Sequence, residues 1–348
     1  MGIEKLAMQD TVLNSLTDFT MATAGVLSLA AGFFLFQRHI DGRPLLAYEP
    51  RRRVPWGPLV LVIPLSFLVI NFLPLLGDSE SNAETMTSAE FVYSGLVISA
   101  GMIAFVAIAM AWLAAVRQAD HRDLGLPLSQ RQFWRDARCG VVACMAALLP
   151  ILLLNFVLTN IFQPEKIHPL IDRMQKDGSP AMLFFCIVSA VLAAPLFEEF
   201  TFRVLLQGWL ERVEDKRLDF HATERQTVPF AGDPVAKETA AGEDLERFSA
   251  EPTPMVETIS SEQSPQRPQH GWLAALPHGW TPILISSLVF GLAHIGHGVA
   301  PVPLVFLGIV FGYLYQRTHR IVPCIAAHML FNAYSLTLLW LNLENTPP

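Results

Sequence analysis

The chain has 348 residues, of which 52% are hydrophobic and only 16% are charged. Soluble domains usually carry about 25% charged residues, so this composition argues against an ordinary soluble protein. The formal net charge of -7, together with the lack of a basic patch interleaved with aromatic residues, predicts that nucleic acid is not a partner. We therefore expect a membrane protein that is in contact with the lipid bilayer.

Long apolar stretches, taken in chain order, predict transmembrane helices. Roughly 20 apolar residues cross the hydrocarbon core as a helix, and a bilayer tolerates no unpaired backbone groups. The expected fold class is all-α, a polytopic transmembrane helical bundle of about eight spans. The predicted spans are about 20–37, 56–77, 91–116, 138–162, 180–208, 280–297, 301–316 and 321–342.

The segments between these spans alternate in charge. Arginines cluster in 38–55, 117–138 and 317–320, whereas 78–90 contains four acidic residues and neither Lys nor Arg. Positively charged loops remain on the cytoplasmic side of a membrane. We therefore expect the Arg-rich loops to be cytoplasmic, in a multi-pass protein of a bacterial cytoplasmic (inner) membrane.

One segment, at about 213–277, differs from the rest in composition. It is rich in Pro, Ser, Thr, Gln and acidic residues and offers few aliphatic side chains. Such a segment buries too little apolar surface to offset its ordering entropy, so we predict a disordered, cytoplasmic insert. It serves either as a solvated linker or as a docking element for an unknown partner. The predicted organisation is a four-span membrane region, 1–170, followed by a second membrane domain, 171–348, which the insert interrupts.

The first group of polar residues within a predicted span is Glu198, Glu199 and Arg203. Ionisable side chains at mid-membrane cost roughly 2.5–3.5 kcal/mol each, which makes them functional candidates. Glu199 and Arg203 are four residues apart and can form an ion pair on one helix face. Glu198 lies about 100° around the helix, which leaves its carboxylate for acid–base chemistry. The alternative is a helix end whose charges reach water.

Two further groups follow in the C-terminal spans. His294 lies near the end of the sixth span, and His297 is expected at the interface. His328 and Asn332 share a helix face, which suits a metal ion, an oxyanion or a hydrogen bond between helices. Helix rise places Glu198, His294 and His328 roughly 12–22 Å deep in a ~30 Å core, so three helices can meet at one polar site.

The ordered set of Glu198-Glu199-x-x-x-Arg203, Phe290-x-x-x-His294 and His328-x-x-x-Asn332 resembles the CPBP family. That family comprises the type II CAAX prenyl endopeptidases and the bacteriocin-processing and abortive-infection-type proteins. The resemblance covers about 180–345, whereas the insert and the first four spans depart from it. It implies an intramembrane endopeptidase that cleaves a peptide or membrane protein of the prenylated or leader type.

The resemblance also implies a division of roles. Glu198 is expected as the general base, His294 as a group that orients water, and His328 and Asn332 as oxyanion donors. Glu199 and Arg203 are expected as structural support. We favour a reaction without a metal cofactor. A site for one zinc ion remains open, with Glu198 or Glu199, His294 and His328 as ligands, although the HExxH signature is absent.

Two other functional classes remain open. Buried Glu, His and Arg side chains also form proton relays, so a proton-coupled transporter is an alternative. Transporters tend to show inverted repeats, and none is visible here. A catalytically inactive scaffold or immunity protein could retain the same fold, but the complete set of polar residues argues against it.

Overall fold

The computed structural model describes residues 2–50, 52–72, 86–163, 173–174, 176–227, 277–296 and 298–344. All of the regular structure in these ranges is helical, in agreement with the predicted class. A 3₁₀ turn, Pro58–Leu61, precedes the second helix. The main elements are α1 (Gly2–Ile40), α2 (Val62–Phe72), α3 (Ser88–Arg117), α4 (Gln130–Phe162), α5 (Pro180–Cys186), π1 (Ile187–Ala193), α6 (Ala194–Glu199), π2 (Phe200–Gln207), α7 (Gly208–Thr227), α8 (Trp280–Leu292), α9 (Pro301–Thr318) and α10 (Val322–Glu344).

Five described helices are long and apolar enough to cross a membrane. Two shorter apolar helices, Pro58–Phe72 and Trp280–Leu292, accompany them, and α9 is in neither group. A multi-pass membrane protein is therefore supported, whereas the count of about eight spans remains a prediction. The five candidate spans are Asn14–Ile40, Ser88–Arg117, Gln130–Phe162, Pro180–Asp219 and Val322–Leu341.

The elements from α5 to α7 follow one another without a break and form one composite helix. It begins at Ser179, whose hydroxyl accepts from the backbone N–H of Met182, and Pro180 occupies the first turn. Two π-helical segments, π1 and π2, flank the six-residue α6. Such wider turns are rare and often lie at functional sites. Every residue of π2 is buried, so this helix is at the centre of the core.

Close helix contacts build the bundle around the composite helix. At Gly140 of α4, an added Cβ would overlap the backbone carbonyl of Pro323 at the start of α10, so only glycine permits this approach. On the other side of α4, the backbone N–H of Leu149 donates to the hydroxyl of Ser28 in α1 at 3.1 Å, next to Pro150. These contacts pack α1 and α10 against α4.

The outer helices expose large apolar side chains. Phe33 in α1, Ile108 in α3 and Phe156 in α4 are each more than 60% exposed. Contiguous exposed apolar surface of this kind suits contact with lipid rather than water. In the described residues, these helices thus present apolar side chains on the outside of the bundle.

The segment that precedes the 3₁₀ turn is tied to the turn between α9 and α10 by ion pairs. Arg320 donates from Nε to Asp136 at 2.6 Å and from Nη2 to Glu49 at 3.1 Å. The hydrogen bond from Arg320 lowers the pKa of the Glu49 carboxyl below its ordinary value of 4.5, although burial opposes this. His319 also bonds to the Glu49 carbonyl through Nδ1 at 2.7 Å. Contacts to both its side chain and its backbone thus anchor Glu49.

Several predicted boundaries differ from the helices observed. The predicted sixth span extends to 297, but α8 ends at Leu292, so His294 lies in the turn that follows. The insert was expected from about 213, yet α7 continues to Thr227. The chain divides into two units, 1–212 with 278–348, and 213–277. His297, residues 78–85 of the acidic segment and residues 228–276 of the insert lie outside the described residues.

Candidate functional site

Glu198, at the C-terminal end of α6, is the centre of a buried polar cluster. Its Oε2 atom lies 3.8 Å from Nε2 of His294 and 3.8 Å from Nε2 of His328. Glu198 is only 7% exposed, and Oε2 has no hydrogen-bond partner among the described residues. The structure therefore brings together three residues, from three segments, that the sequence predicted at a common depth.

The hydrogen bonds of the two histidines determine which ring nitrogen faces Glu198. His294 Nδ1 is 2.8 Å from the Phe290 carbonyl oxygen, which can only accept, so this nitrogen must donate. His328 Nδ1 is 2.9 Å from Glu199 Oε1 and donates to it when Glu199 is a carboxylate. In neutral rings, both Nε2 atoms then carry a lone pair directed towards Glu198 Oε2. Three acceptors that face one another need a hydrogen donor between them, and water can supply it.

Glu199 and Arg203 form the ion pair predicted from their spacing. Arg203 Nε donates to Glu199 Oε2 at 2.9 Å, and both side chains are fully buried. Since Glu199 accepts from Arg203 on one oxygen and from His328 on the other, this carboxylate connects the composite helix to α10. Its position is fixed from both sides, whereas the neighbouring Glu198 carboxyl has an unpaired oxygen.

Two aromatic rings enclose the cluster. The His328 ring stacks on Phe311 with centroids 5.0 Å apart and meets Phe290 edge to face at 5.8 Å. The Arg203 guanidinium lies 5.2 Å from the Phe290 ring and 5.7 Å from the Phe311 ring, within the range of cation–π attraction. The rings exclude water from the supporting groups and hold the imidazole in one orientation.

Asn332 lies one helical turn after His328, and both side chains contact the composite helix. The Asn332 amide donates to the carbonyl oxygen of Ala190 in π1 at 2.7 Å. This is the contact that the structure shows for Asn332, and it ties α10 to the π-helical segment. The predicted role as an oxyanion donor is untested by this contact and remains a prediction.

The separate motifs did not predict a buried hydrogen-bond network that continues beyond Arg203. It passes through Ser286 of α8 and Gln207 of π2 to Glu211. A signal was present in the sequence, because Glu199, Arg203, Gln207 and Glu211 recur at intervals of four residues along one helix. Ser286 gave no comparable signal, since a lone serine in an apolar helix is common.

The same cluster contains residue types that bind metal ions. Two histidines and a carboxylate match a catalytic zinc set in composition. In the part of the chain that the structure describes, however, no group of three or more His, Cys, Asp or Glu side chains is arranged to hold a metal ion. The choice between a metal-free reaction and a zinc site, both left open by the sequence, remains a prediction.

Residues 266–334 match a family model described as type II CAAX prenyl endopeptidase Rce1-like. No curated protein and no solved structure matches the chain. The match confirms the predicted CPBP resemblance over these residues, which are about a fifth of the chain. It spans His294, His328 and Asn332 but leaves out Glu198, Glu199 and Arg203, so it does not decide the catalytic type.

Proposed function

We propose that the chain is an intramembrane endopeptidase in which Glu198 is the general base. The observation that carries this proposal is the unpaired Oε2 of Glu198, 3.8 Å from Nε2 of both His294 and His328. A water molecule within ~2.8 Å of Glu198 Oε2 and of the His294 Nε2 atom bridges their gap with two ordinary hydrogen bonds. The family match to a membrane peptidase supports the same reaction class.

The proposed reaction begins with this water. Glu198 Oε2 accepts one proton while the water oxygen attacks the carbonyl carbon of the scissile peptide bond. The other hydrogen of the water donates a hydrogen bond to His294 Nε2, which orients the attacking lone pair of the water oxygen. Glu198 then returns its proton to the leaving nitrogen as the C–N bond breaks. The second water hydrogen stays on the new carboxyl group, so the products are a carboxylic acid and an amine, which together contain all the atoms of one water.

Donors for the developing oxyanion come from α10. An amide carries two N–H groups, so Asn332 can retain its bond to Ala190 and offer the second hydrogen. His328 donates from Nε2 only as a doubly protonated ring, whose charge faces the Glu199 carboxylate across Nδ1. Preorganised donors of this kind supply much of the stabilisation in acyl transfer.

The substrate class follows from the position of the site. The polar cluster lies inside an apolar bundle, so the scissile bond must be presented from within or beside the bilayer. A peptide or membrane protein with a lipid-anchored or hydrophobic segment meets this requirement. We propose the prenylated or leader type, in agreement with the family match.

The test is cleavage profiling of membrane proteins from cells that carry either the wild-type chain or Glu198→Gln. Glutamine keeps the shape of the side chain but removes its basicity, so we expect the wild-type cleavage products to disappear at an equal protein level. An unchanged profile would favour the transporter or the inactive scaffold. The purified wild type should also remain active with 1,10-phenanthroline, and a loss of activity that zinc reverses would assign a metal mechanism.

A further inference from the structure

A row of buried polar side chains continues from the site along the composite helix. Glu199, Arg203 and Gln207 are fully buried, and Glu211 is 6% exposed. Burying polar groups is costly unless each is hydrogen-bonded, so such a row needs partners on neighbouring helices. Ser286 of α8 and the backbone of α9 at Gly312 supply these partners.

Ser286 connects Arg203 to Gln207 through a single hydroxyl. Arg203 Nη1 lies 3.4 Å from Ser286 Oγ, which accepts. The Ser286 hydroxyl in turn lies 3.2 Å from Gln207 Oε1 and 3.1 Å from the carbonyl oxygen of Ile283. The guanidinium is thus held by Glu199 at Nε and by Ser286 at Nη1.

The orientation of the Gln207 amide is fixed by its partners. Its Nε2 donates to the Gly312 carbonyl at 2.8 Å and to Glu211 Oε1 at 3.1 Å. A carbonyl and a carboxylate only accept, so the nitrogen must face them and Oε1 must face Ser286. Gly312 leaves the necessary room, because a Cβ there would lie 3.1 Å from Gln207 Oε1.

We propose that Gln207 and Ser286 are positioning residues of the site. They hold the Arg203 guanidinium, which orients the Glu199 carboxylate and, through it, the His328 ring. The hydrogen bonds from Arg203 and from His328 to Glu199 are both 2.9 Å long. Because the carboxylate bridges these two side chains, a rotation of the Arg203 guanidinium also turns the His328 ring. The proposal rests on the proposed function only for its kinetic measurement.

The adjacent Ser287 provides a matched control. Both serines are fully buried, and both hydroxyls lie within hydrogen-bonding distance of the Ile283 carbonyl oxygen, Ser286 at 3.1 Å and Ser287 at 2.6 Å. Of the two, Ser286 bonds to Arg203 and Gln207 in the described structure. Each change to alanine removes one buried hydroxyl from the same helix, so a difference between the two variants isolates the link to Arg203.

The first measurement is the ¹⁵N NMR spectrum of the histidine rings in the full-length protein, labelled at histidine and held in detergent micelles. Ring nitrogen shifts report hydrogen bonding and protonation directly. We expect the His328 signals to move in Ser286→Ala and Gln207→Leu and to remain unchanged in Ser287→Ala. Gly312→Ala, which removes no polar group but displaces the Gln207 amide, should move them in part. Identical His328 signals in Ser286→Ala and the wild type would overturn the proposal.

The second measurement uses a substrate found by cleavage profiling. A misoriented site slows the chemical step, so Ser286→Ala should lower kcat roughly 10- to 100-fold with little change in KM. Ser287→Ala should retain the wild-type kcat. An equal loss of kcat in Ser286→Ala and Ser287→Ala would contradict the proposal that Ser286 positions the site. If Glu198→Gln leaves the cleavage profile unchanged, the proposed function fails and the NMR comparison decides this inference alone.

Discussion

Two arginine-centred clusters in this molecule differ in how completely their polar atoms are paired. Arg320 donates to Asp136, to both oxygens of Glu49 and to the Thr318 carbonyl. Arg203 donates to Glu199 and Ser286, but its Nη2 has no partner among the described residues. The Arg320 cluster lies at the end of the bundle, where Glu49 is 43% exposed. The Arg203 pair is fully buried.

We interpret this difference as one between a cluster that stabilises the fold and a cluster proposed to be reactive. Glu198, next to the Arg203 cluster, also has an unpaired buried oxygen. Most buried polar groups in native proteins are bonded, so each unpaired atom calls for an explanation. Proteins tolerate such local costs chiefly at functional sites. We therefore interpret the Arg320 cluster as structural and the Glu198 cluster as the reactive one.

The largest expected loss of stability comes from Arg203→Ala. It removes the cation from a fully buried pair and should lower the free energy of unfolding by ~3–5 kcal/mol. Arg135→Ala is the control, because Arg135 is 65% exposed and pairs with Glu49 at 3.2 Å, where the loss should be ~0–1 kcal/mol. Unfolding in mixed micelles measures both. An Arg203→Ala protein that is as stable as the wild type but inactive would assign Arg203 to substrate binding.

Asn332→Ala tests whether the Asn332 amide stabilises an oxyanion in the Glu198 cluster. Loss of one such donor should lower turnover about 10²–10³-fold, measured on a substrate found by profiling. Ser335→Ala, on the same helix, removes an exposed hydroxyl that bonds to Phe331 and should leave turnover unchanged. If turnover falls less than tenfold in Asn332→Ala, the amide has only a structural role, in which it holds α10 against Ala190.

Replacement of the adjacent carboxyl groups of Glu198 and Glu199 by amides should have different effects on the free energy of unfolding. Glu199→Gln weakens two hydrogen bonds to basic side chains, so the free energy of unfolding should fall by ~1.5–3 kcal/mol. Glu198→Gln removes an unpaired buried oxygen and adds an N–H that can donate to either histidine. Its stability should equal the wild type or exceed it by about 1 kcal/mol. Equal losses in both variants would remove the distinction between supporting and reactive carboxyl groups.

The smallest expected change in the free energy of unfolding comes from Glu49→Gln, in the Arg320 cluster. Its pKa is lowered by the hydrogen bond from Arg320, so its contribution to stability is complete above the ordinary value of 4.5 and is lost as the pH falls through the folded-state pKa. The difference in unfolding free energy between the wild type and Glu49→Gln should therefore shrink below about pH 4.5. Because Glu49 is 43% exposed, we expect a difference under ~1 kcal/mol. A difference that is independent of pH would contradict the assignment.

Local spacing in the sequence determined much of the site. The interval of four residues between Glu199 and Arg203 fixes a common helix face, and the observed ion pair follows from it. Apolar runs likewise predicted the long helices, and the motifs around His294 and His328 lie within the family match over residues 266–334. These features depend on backbone geometry within one segment, which the sequence specifies directly.

Tertiary structure alone decided which atoms meet. The separation of 3.8 Å between Glu198 and each histidine, the bond from Asn332 to Ala190 and the link from Arg203 to Ser286 all join segments that are distant in the chain. Their geometry depends on two π-helical turns and on close approaches such as the one at Gly140. Helix rise gives the depth of a residue to within several ångströms, but hydrogen bonding requires side-chain orientation to a few tenths. Packing between helices supplies that orientation, because interior side chains have few alternative positions.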